Sequence, residues 1–582
     1  MSPIREYRWT VRQGPQDPEA QAAVKKLADE LGVSPVLSDI LVSRGIDSFE
    51  KARAFFRPAL EDLHDPFLMD GMSEAVDRIL RAVHSNEHCI VYGDYDVDGT
   101  DGTAMVWTFL KSVGATADYL IPERLKDGYG LSQNGIDRAR ALGATLIVAI
   151  DCGITAVEQV EYARSLGIDV IICDHHEPGG TLPQAAAVLD PLKPSCRYPF
   201  KYLCGCGVGF KLIQALASQN EIRARLGDTG DKRLFQYLQY VTLATTADIV
   251  PLSGENRTMV KLGLELVNFD PLPGIRAIIE TSGIVRGRIS SGQIVFVLAP
   301  RINAVGRLGD AGRAVELLTC DSYERALELA RVMEDENIQR RKIDEETFLQ
   351  AQEIVEQVLN ADNDSAIVLH QERWHPGVIG IVASRLVDRY YRPTILMTTV
   401  DGVAKGSARS VSGFNIFEAL KRCEDKLVRF GGHKYAAGLT VEVNRLEDFT
   451  QTFKQVANEL LTEELRTPEI RIEAEIQLGD LTPKFVRILS QFAPFGPENM
   501  RPVFAARNVE ILGSPRIVGR NHLRFKVRSP ARGIFDAIGF NLGDLISRIQ
   551  PGRRVDVAFS LDEGEYAGET VPQLKIRDIK AL

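Results

Sequence analysis

Residues 90–103 read Ile-Val-Tyr-Gly-Asp-Tyr-Asp-Val-Asp-Gly-Thr-Asp-Gly-Thr. Three alternating carboxylates, Asp94, Asp96 and Asp98, thus follow directly on an apolar run, Cys89 to Tyr92. A second apolar run, Val170 to Cys173, ends in Asp174-His175-His176, and Asp151 stands alone after a third, Thr145 to Ile150. Carboxylates crowded this closely repel one another, so a fold that gathers them needs cations. A thiolate-free set of aspartates suits Mg²⁺ or Mn²⁺, and admixed imidazole shifts the preference toward Mn²⁺. Two such ions about 4 Å apart can activate a bridging water and stabilise both oxygens of an in-line phosphoryl displacement. No dedicated protein base is then required, and Asp151 is the candidate for a carboxylate shared between the ions. Taken singly, Asp-x-Asp is most often a capped turn and Asp-His-His more often a loop with a satisfied histidine. Their shared position at strand ends is what points to a site.

The positioning elements follow from periodicity. Cys89 to Tyr92, Thr145 to Ile150, Val170 to Cys173 and Ala186 to Leu189 read as strands, with helix-like spacing over Thr103 to Val113 and Ile154 to Leu166. Strand, helix, strand at this rhythm predicts an α/β fold with a parallel, doubly wound sheet. In such sheets sites form at the carboxyl ends of the strands, so three strands deliver ligands to one rim. Asp248, in Ala-Thr-Thr-Ala-Asp-Ile-Val-Pro, is a fourth candidate.

Upstream, residues 1–80 carry helical spacing such as Val24, Leu27 and Leu31. Residues 319–360 contain neither proline nor glycine and predict a long connecting helix. A smaller α/β unit begins with Ala366 to Leu369, and the last 110 or so residues alternate short strands with turns, as a small β-barrel does.

At 582 residues the chain exceeds what one core usually supports. The first thirty residues lack an uninterrupted apolar stretch and no run approaches a membrane span, so the expected location is cytoplasmic. The eight cysteines show no disulfide or zinc spacing, and Cys196, Cys204 and Cys206 read as ordinary reduced thiols. A net charge of −10 argues against a generic nucleic-acid binder, but the charge is uneven. Residues 469–582 carry 17 Lys/Arg against 14 Asp/Glu, and Arg507 to Arg532 holds seven basic residues against one acidic, Glu510. That stretch is either a phosphate-binding face or a solvated strand surface.

Other segments offer groups for phosphate oxygens. Gly-rich turns bearing Ser and Arg supply N–H groups and a bidentate fork, which Ser407, Arg409 and Ser410 fit, as do Gly431, Gly432 and His433. The segment Pro300-Arg-Ile-Asn-Ala-Val-Gly-Arg307 places Arg301 and Arg307 six apart on an otherwise apolar run. Each is balanced between loop structure and phosphate contact.

These segments resemble a known family. Gly-Asp-Tyr-Asp-Val-Asp-Gly-Thr, the Asp-Cys-Gly turn at 151, Asp-His-His at 174 and Ala-Asp-Ile-Val-Pro at 247 are similar to the four motifs of the DHH phosphoesterases. Trp-His-Pro-Gly-Val-Ile-Gly-Ile-Val-Ala-Ser-Arg at 374 and Phe-Gly-Gly-His-Lys-Tyr-Ala-Ala-Gly at 430 resemble the associated DHHA1 domain. With Pro-Arg-Ile-Asn-Ala-Val-Gly-Arg, Gly-Tyr-Gly-Leu-Ser at 128 and the barrel, the resemblance narrows to the family's single-strand-specific 5′→3′ DNA exonucleases of recombination and repair.

The resemblance implies a helical region at 1–80, a DHH catalytic domain at 81–318, a connecting long helix at 319–362, a DHHA1 domain at 363–465 and an OB-fold at 466–582. It implies two Mn²⁺ or Mg²⁺ ions on Asp94, Asp96, Asp98, Asp151, His175 and Asp248, with His176 near the scissile phosphate and Asp98, Asp151, His175 and His176 as the catalytic group. It further implies 5′-phosphate and backbone contacts from Arg124, Arg301, Asn303, Ser407, Arg409 and His433, to which Arg307, Ser410, Gly431 and Gly432 are added as candidates. One DNA strand with a free 5′ end would thread between the two α/β domains, with 5′-mononucleotides released. A single-strand-binding protein and a RecQ-type helicase are the partners implied, and a monomer is expected. Two positions depart from the family pattern: Tyr92 stands where a metal-ligating histidine is common, and Cys152 replaces the more usual asparagine. Two other functions stay open: a phosphodiesterase of short oligonucleotides or cyclic dinucleotides, and a non-catalytic single-strand-binding scaffold.

Overall fold

Five short strands form a wholly parallel sheet in the order Thr116–Leu120, His88–Gly93, Leu146–Ile150, Asp169–Cys173 and Ala187–Leu189. The structure is a computed structural model that describes residues 6–124, 126–358, 364–528, 533–566 and 569–581. Leu146–Ile150 is buried at every position, as expected of a parallel strand covered on both faces. Side chains alternate between two apolar clusters: Cys89 and Val91 enter one, Ile90 and Tyr92 the other. The strand order reverses beside His88–Gly93, which pairs with Thr116–Leu120 on one side and Leu146–Ile150 on the other. A crevice opens at such a reversal, at the carboxyl ends of the strands.

The four expected strands are present. Thr116–Leu120, which the apolar-run reading missed, is an edge strand with exposed Thr116 and Asp118 and therefore no apolar run. The first helix spans Val97–Ser112 and starts well before Thr103, because Asp96 caps it and carries Asp98 into its first turn. The charged helix runs Tyr323–Val358, and residues 359–362 of its expected span lie outside the described residues.

The chain divides into two compact units, one holding Pro15–Asn337 and Arg487–Arg501, the other the chain up to Gly14, Ile338–Val486 and the chain from Pro502. In the first unit Arg257 draws Arg487–Arg501 in by donating to the carbonyls of Phe492, Ala493 and Pro494. In the second, a mixed five-stranded sheet runs Arg429–Gly432, Ala436–Glu442, Val403–Arg409, Thr394–Val400, Ile367–His370, parallel only in its last pair. The same unit holds a closed barrel of Phe504–Val518, His522–Arg528, Ile534–Gly539, Glu569–Ala581 and Arg554–Tyr566, the last pairing back onto the first. Strand Arg8–Val11 of the expected helical region pairs instead with Glu469–Ile472, and Trp9 donates its indole N–H to Asp578 at 2.7 Å.

Candidate metal centre

Each acidic group is placed by the end of an element. Asp94 follows strand His88–Gly93 and is buried. Asp96 caps the helix Val97–Ser112, its Oδ1 accepting from the Gly99 N–H at 3.1 Å. Asp98, in the first turn of that helix, is turned onto the N-terminus of another helix, Gly205–Ala217: its Oδ2 accepts from the Gly205 N–H at 2.6 Å and its Oδ1 from the Cys206 N–H at 2.8 Å. Unpaired N–H groups and the positive end of the helix dipole hold that carboxylate charge in place. Asp151 leaves the third strand at φ +60°, a left-handed conformation that costs a non-glycine residue about 1 kcal/mol or more. Gly205 permits its approach, since a Cβ there would lie 2.5 Å from that of Asp151. Asp248 follows helix Gly230–Ala247, and the next residue, Ile249, is also left-handed at φ +60°.

The ligand atoms converge. His175 Nε2 lies 3.1 Å from Asp151 Oδ1 and 3.6 Å from both Asp98 Oδ2 and Asp248 Oδ2. Three sets of ligand atoms each fall within 4.8 Å of one another: Asp94, Asp96 and Asp151; Asp98, His175 and Asp248; Asp151, His175 and His176. Asp151 belongs to two of the three. The chain thus brings together all seven acidic and imidazole groups that these sets contain.

The electrostatics of the cluster suit a cation. Burial, reinforced by Asp96, pushes the Asp94 carboxyl well above the usual carboxylate range. Burial with Asp98 raises Asp96, and burial with Asp98 and Asp96 raises Asp151 well above that range. Asp248 is raised by burial and Asp98. Oδ1 of Asp94 is buried with no hydrogen-bond partner among the described residues. An acceptor in that condition, among carboxylates that repel each other's charge, fits a hard divalent cation.

Asp174 does different work. Burial alone would raise it, but a 2.7 Å bond from His176 Nδ1 and the Ile154 N–H at 2.9 Å outweigh that and hold it below the usual range. His176 in turn is pushed up to about 9: burial opposes its charge, and the Asp174 hydrogen bond and charge prevail.

Tyr92 points elsewhere. Its ring lies against Gly135, where a Cβ would come within 2.5 Å, and its hydroxyl donates to the Gly130 carbonyl at 3.2 Å. Cys152 is buried, and burial pushes its thiol well up, so it packs as a small apolar residue.

The candidate phosphate contacts divide. Arg124 lies 5.0 Å over the ring of Tyr95, in the loop between Asp94 and Asp96. Helix Ala299–Leu308, which carries Arg301, Asn303 and Arg307, packs on that loop so closely that a Cβ on Gly306 would lie 2.5 Å from the Tyr95 carbonyl. Arg301 is not presented at this rim. It is buried and ion-paired to Glu334, Nε to Oε2 at 2.5 Å, with a further bond to the Val297 carbonyl.

In the second unit Gly431, Gly438 and Ser407 stand in register across three adjacent strands, and no atom lies within 4 Å of where either glycine's Cβ would be. Arg409 donates to Ser407 Oγ at 2.9 Å over a floor left open by Gly380. His433 closes the turn after Gly432, which has φ +140°, by donating its N–H to Ala436 at 2.8 Å. The Ser410 hydroxyl is committed to the Phe414 carbonyl at 2.6 Å. Sequence reasoning passed over Gly205 and gave no role to Gly380 or Tyr129, although both stand in segments that carry the family resemblance. The visible signal for Tyr129 was its place between two glycines.

Known proteins carry the same plan. The chain matches the DHH family N-terminal domain over residues 88–245, the DHHA1 domain over 349–459 and the RecJ OB domain over 472–578. It is 38% identical over 575 residues to the single-stranded-DNA-specific exonuclease RecJ of Bacillus subtilis, covering 98% of this chain and 70% of that protein. Escherichia coli RecJ is 34% identical, with 94% and 96% covered. The chain belongs to the RecJ family. Its structure resembles that of Thermus thermophilus RecJ in complex with Mn²⁺, with a TM-score of 0.82 at 29% identity over 99% of this chain and 80% of that one. The Mg²⁺ complex of the same RecJ gives a TM-score of 0.77. Among the described residues no helix is long and apolar enough to cross a membrane.

Proposed function

We propose that this protein is a single-stranded-DNA-specific exonuclease that removes 5′-mononucleotides in the 5′→3′ direction, in recombination and repair. The observation that carries the reading is the convergence of Asp94, Asp96, Asp98, Asp151, His175 and Asp248 within one rim, in a chain of the RecJ family. Mn²⁺ or Mg²⁺, when bound by those six residues, supplies an activated water and neutralises charge on the phosphate. The chain's own groups position the substrate. His176, held by Asp174, stands close to the scissile phosphate. Arg124 and Arg307 near Tyr95, and Arg409, Ser407, Gly431, Gly432 and His433 on the second sheet, receive backbone and 5′-phosphate oxygens. Asn303 and Ser410 are lesser candidates, and the buried Arg301 supports its helix in the free protein.

The barrel holds the strand by its basic face. Its strand His522–Arg528 buries Leu523, Phe525 and Val527 and turns Arg524 and Lys526 the other way. A single-strand-binding protein and a RecQ-type helicase supply such strands, to a monomer in the cytoplasm.

The test is digestion of a 5′-labelled 40-mer with Mn²⁺, Mg²⁺ or chelator, beside a blunt duplex and a dinucleotide. Chelator-sensitive loss from the 5′ end, slow on the duplex and on the dinucleotide, is expected. Equal rates on duplex, or nicking of a supercoiled circle, would exclude the proposal.

A further inference from the structure

His176 is gripped from more than one side. Nδ1 is taken by Asp174 Oδ1 at 2.7 Å, and the ring of His175 lies 4.5 Å away. The Tyr129 hydroxyl stands 3.0 Å from the main-chain carbonyl of Asp151 and lies beside the imidazole, 3.1 Å from Nε2 and 3.3 Å from Nδ1. A carbonyl can only accept, so Tyr129 spends its single O–H on Asp151, which fixes its oxygen against the edge of the imidazole. The turn that carries Tyr129 is itself tethered, because Tyr92 donates to the carbonyl of the next residue, Gly130. Tyr92 thus joins the strand His88–Gly93 to the loop over the metal centre.

We propose that Tyr129 is a positioning residue for the hydrolytic step: its hydroxyl, oriented by Asp151, holds the His176 ring where the reacting phosphate arrives, and Tyr92 sets Tyr129 through Gly130. The inference rests on the reading of His176 given above. The contact carries information from Asp151, at the heart of the ligand cluster, to the imidazole that meets the substrate.

Tyr129 is 54% exposed, so Tyr129→Phe removes one oxygen without opening the core. Single-turnover rates and KM on a single-stranded 40-mer, with saturating Mn²⁺, should be measured for Tyr129→Phe, His176→Ala, the double variant and Tyr92→Phe. A misplaced catalytic group costs roughly ten- to a hundredfold. Tyr129→Phe should therefore lower the rate about tenfold, with KM within about twofold. In the His176→Ala background the same change should cost nothing further, because Tyr129 acts through His176. Tyr92→Phe should show a smaller loss with the same dependence on His176. Affinity for Mn²⁺, read by calorimetric titration without DNA, should be unchanged in Tyr129→Phe. Full activity of Tyr129→Phe beside an impaired His176→Ala would overturn the inference alone. So would losses that multiply in the double variant, or weakened Mn²⁺ binding, since either makes Tyr129 a support of Asp151. Full activity of His176→Ala would overturn the reading of His176 on which it rests.

Discussion

His175 Nε2 lies 3.1 Å from Asp151 Oδ1, although the two residues are 24 positions apart and follow neighbouring strands of one sheet. The contact exists because parallel strands bring their carboxyl ends level, and because Gly205 lets the Asp151 side chain sit against a helix N-terminus. Metal-free, this arrangement is an electrostatic burden.

Asp151→Asn should therefore raise the thermal midpoint in chelator while abolishing hydrolysis. Adding Mn²⁺ should stabilise the wild type by about 2.7 kcal/mol at a hundredfold excess over Kd, and the variant by less. Thermal melts with and without Mn²⁺ check both. An Asp151→Asn protein no more stable than wild type in chelator would contradict the assignment.

Gly205→Ala places a methyl 2.5 Å from the Asp151 Cβ and 2.6 Å from its Cα. Overpacking against backbone of this kind costs about 1–3 kcal/mol. Urea unfolding should show that loss, and hydrolysis should fall with it because Asp98 and Asp151 both rest on this helix start. Unchanged activity would show that the carboxylates tolerate displacement.

Gly380→Ala differs, because the added Cβ meets only side chains: Arg409 Nη2 and Ser407 Oγ, each at 2.9 Å. These can move, so folding should survive while the fork is displaced. KM should rise for 5′-phosphorylated single strands more than for 5′-hydroxyl strands. Equal shifts on the two substrates would remove this cluster from 5′-phosphate recognition.

On the barrel, Arg516 stands directly opposite Arg524 in the ladder. Like charges so placed are destabilising unless an anion offsets them; Asp536, 3.9 Å from Arg524, supplies part of that, and DNA phosphate can supply the rest. The double change Arg516→Ala, Arg524→Ala should weaken binding of oligo-dT and lower the salt slope by about 1.4, at roughly 0.7 per phosphate released from a single strand. Anisotropy titrations across salt concentrations read this directly, and an unaltered slope would place the DNA elsewhere.

Lys261 donates to the Phe56 carbonyl at 2.7 Å, and burial lowers its pKa to about 8. The unfolded chain holds that proton up to its ordinary value of 10.5, so between the two values the unfolded state binds more protons and stability rises with pH. Below about pH 8 the full cost of burying the charge is present. Wild type should therefore gain on Lys261→Met as pH rises from 7.5 to about 10. Urea midpoints that run parallel over that range would contradict it.

Much of this site could be read from one dimension. A parallel strand buried on both faces must be an unbroken apolar run, and the residue after it must lie at the sheet's carboxyl edge. Asp94, Asp151 and Asp174 through His176 were legible for that reason, as were the four strands behind them. Thr116–Leu120 was not, because an edge strand half open to water carries no such run.

What only tertiary structure decided concerns partners far apart in the chain. Nothing near Asp98 announces that its carboxylate is held by the N–H groups of Gly205 and Cys206, 107 and 108 residues on. Arg301 reads as a phosphate ligand until the helix packing turns it onto Glu334. Tyr92, the apparent loss of a ligand, is a tether for the turn of Tyr129. The sequence by itself determined which groups reach the rim, since strand period and burial are local constraints. It could not say what each group touches there, because direction of a side chain is set by packing between elements, and that packing is a property of the whole fold.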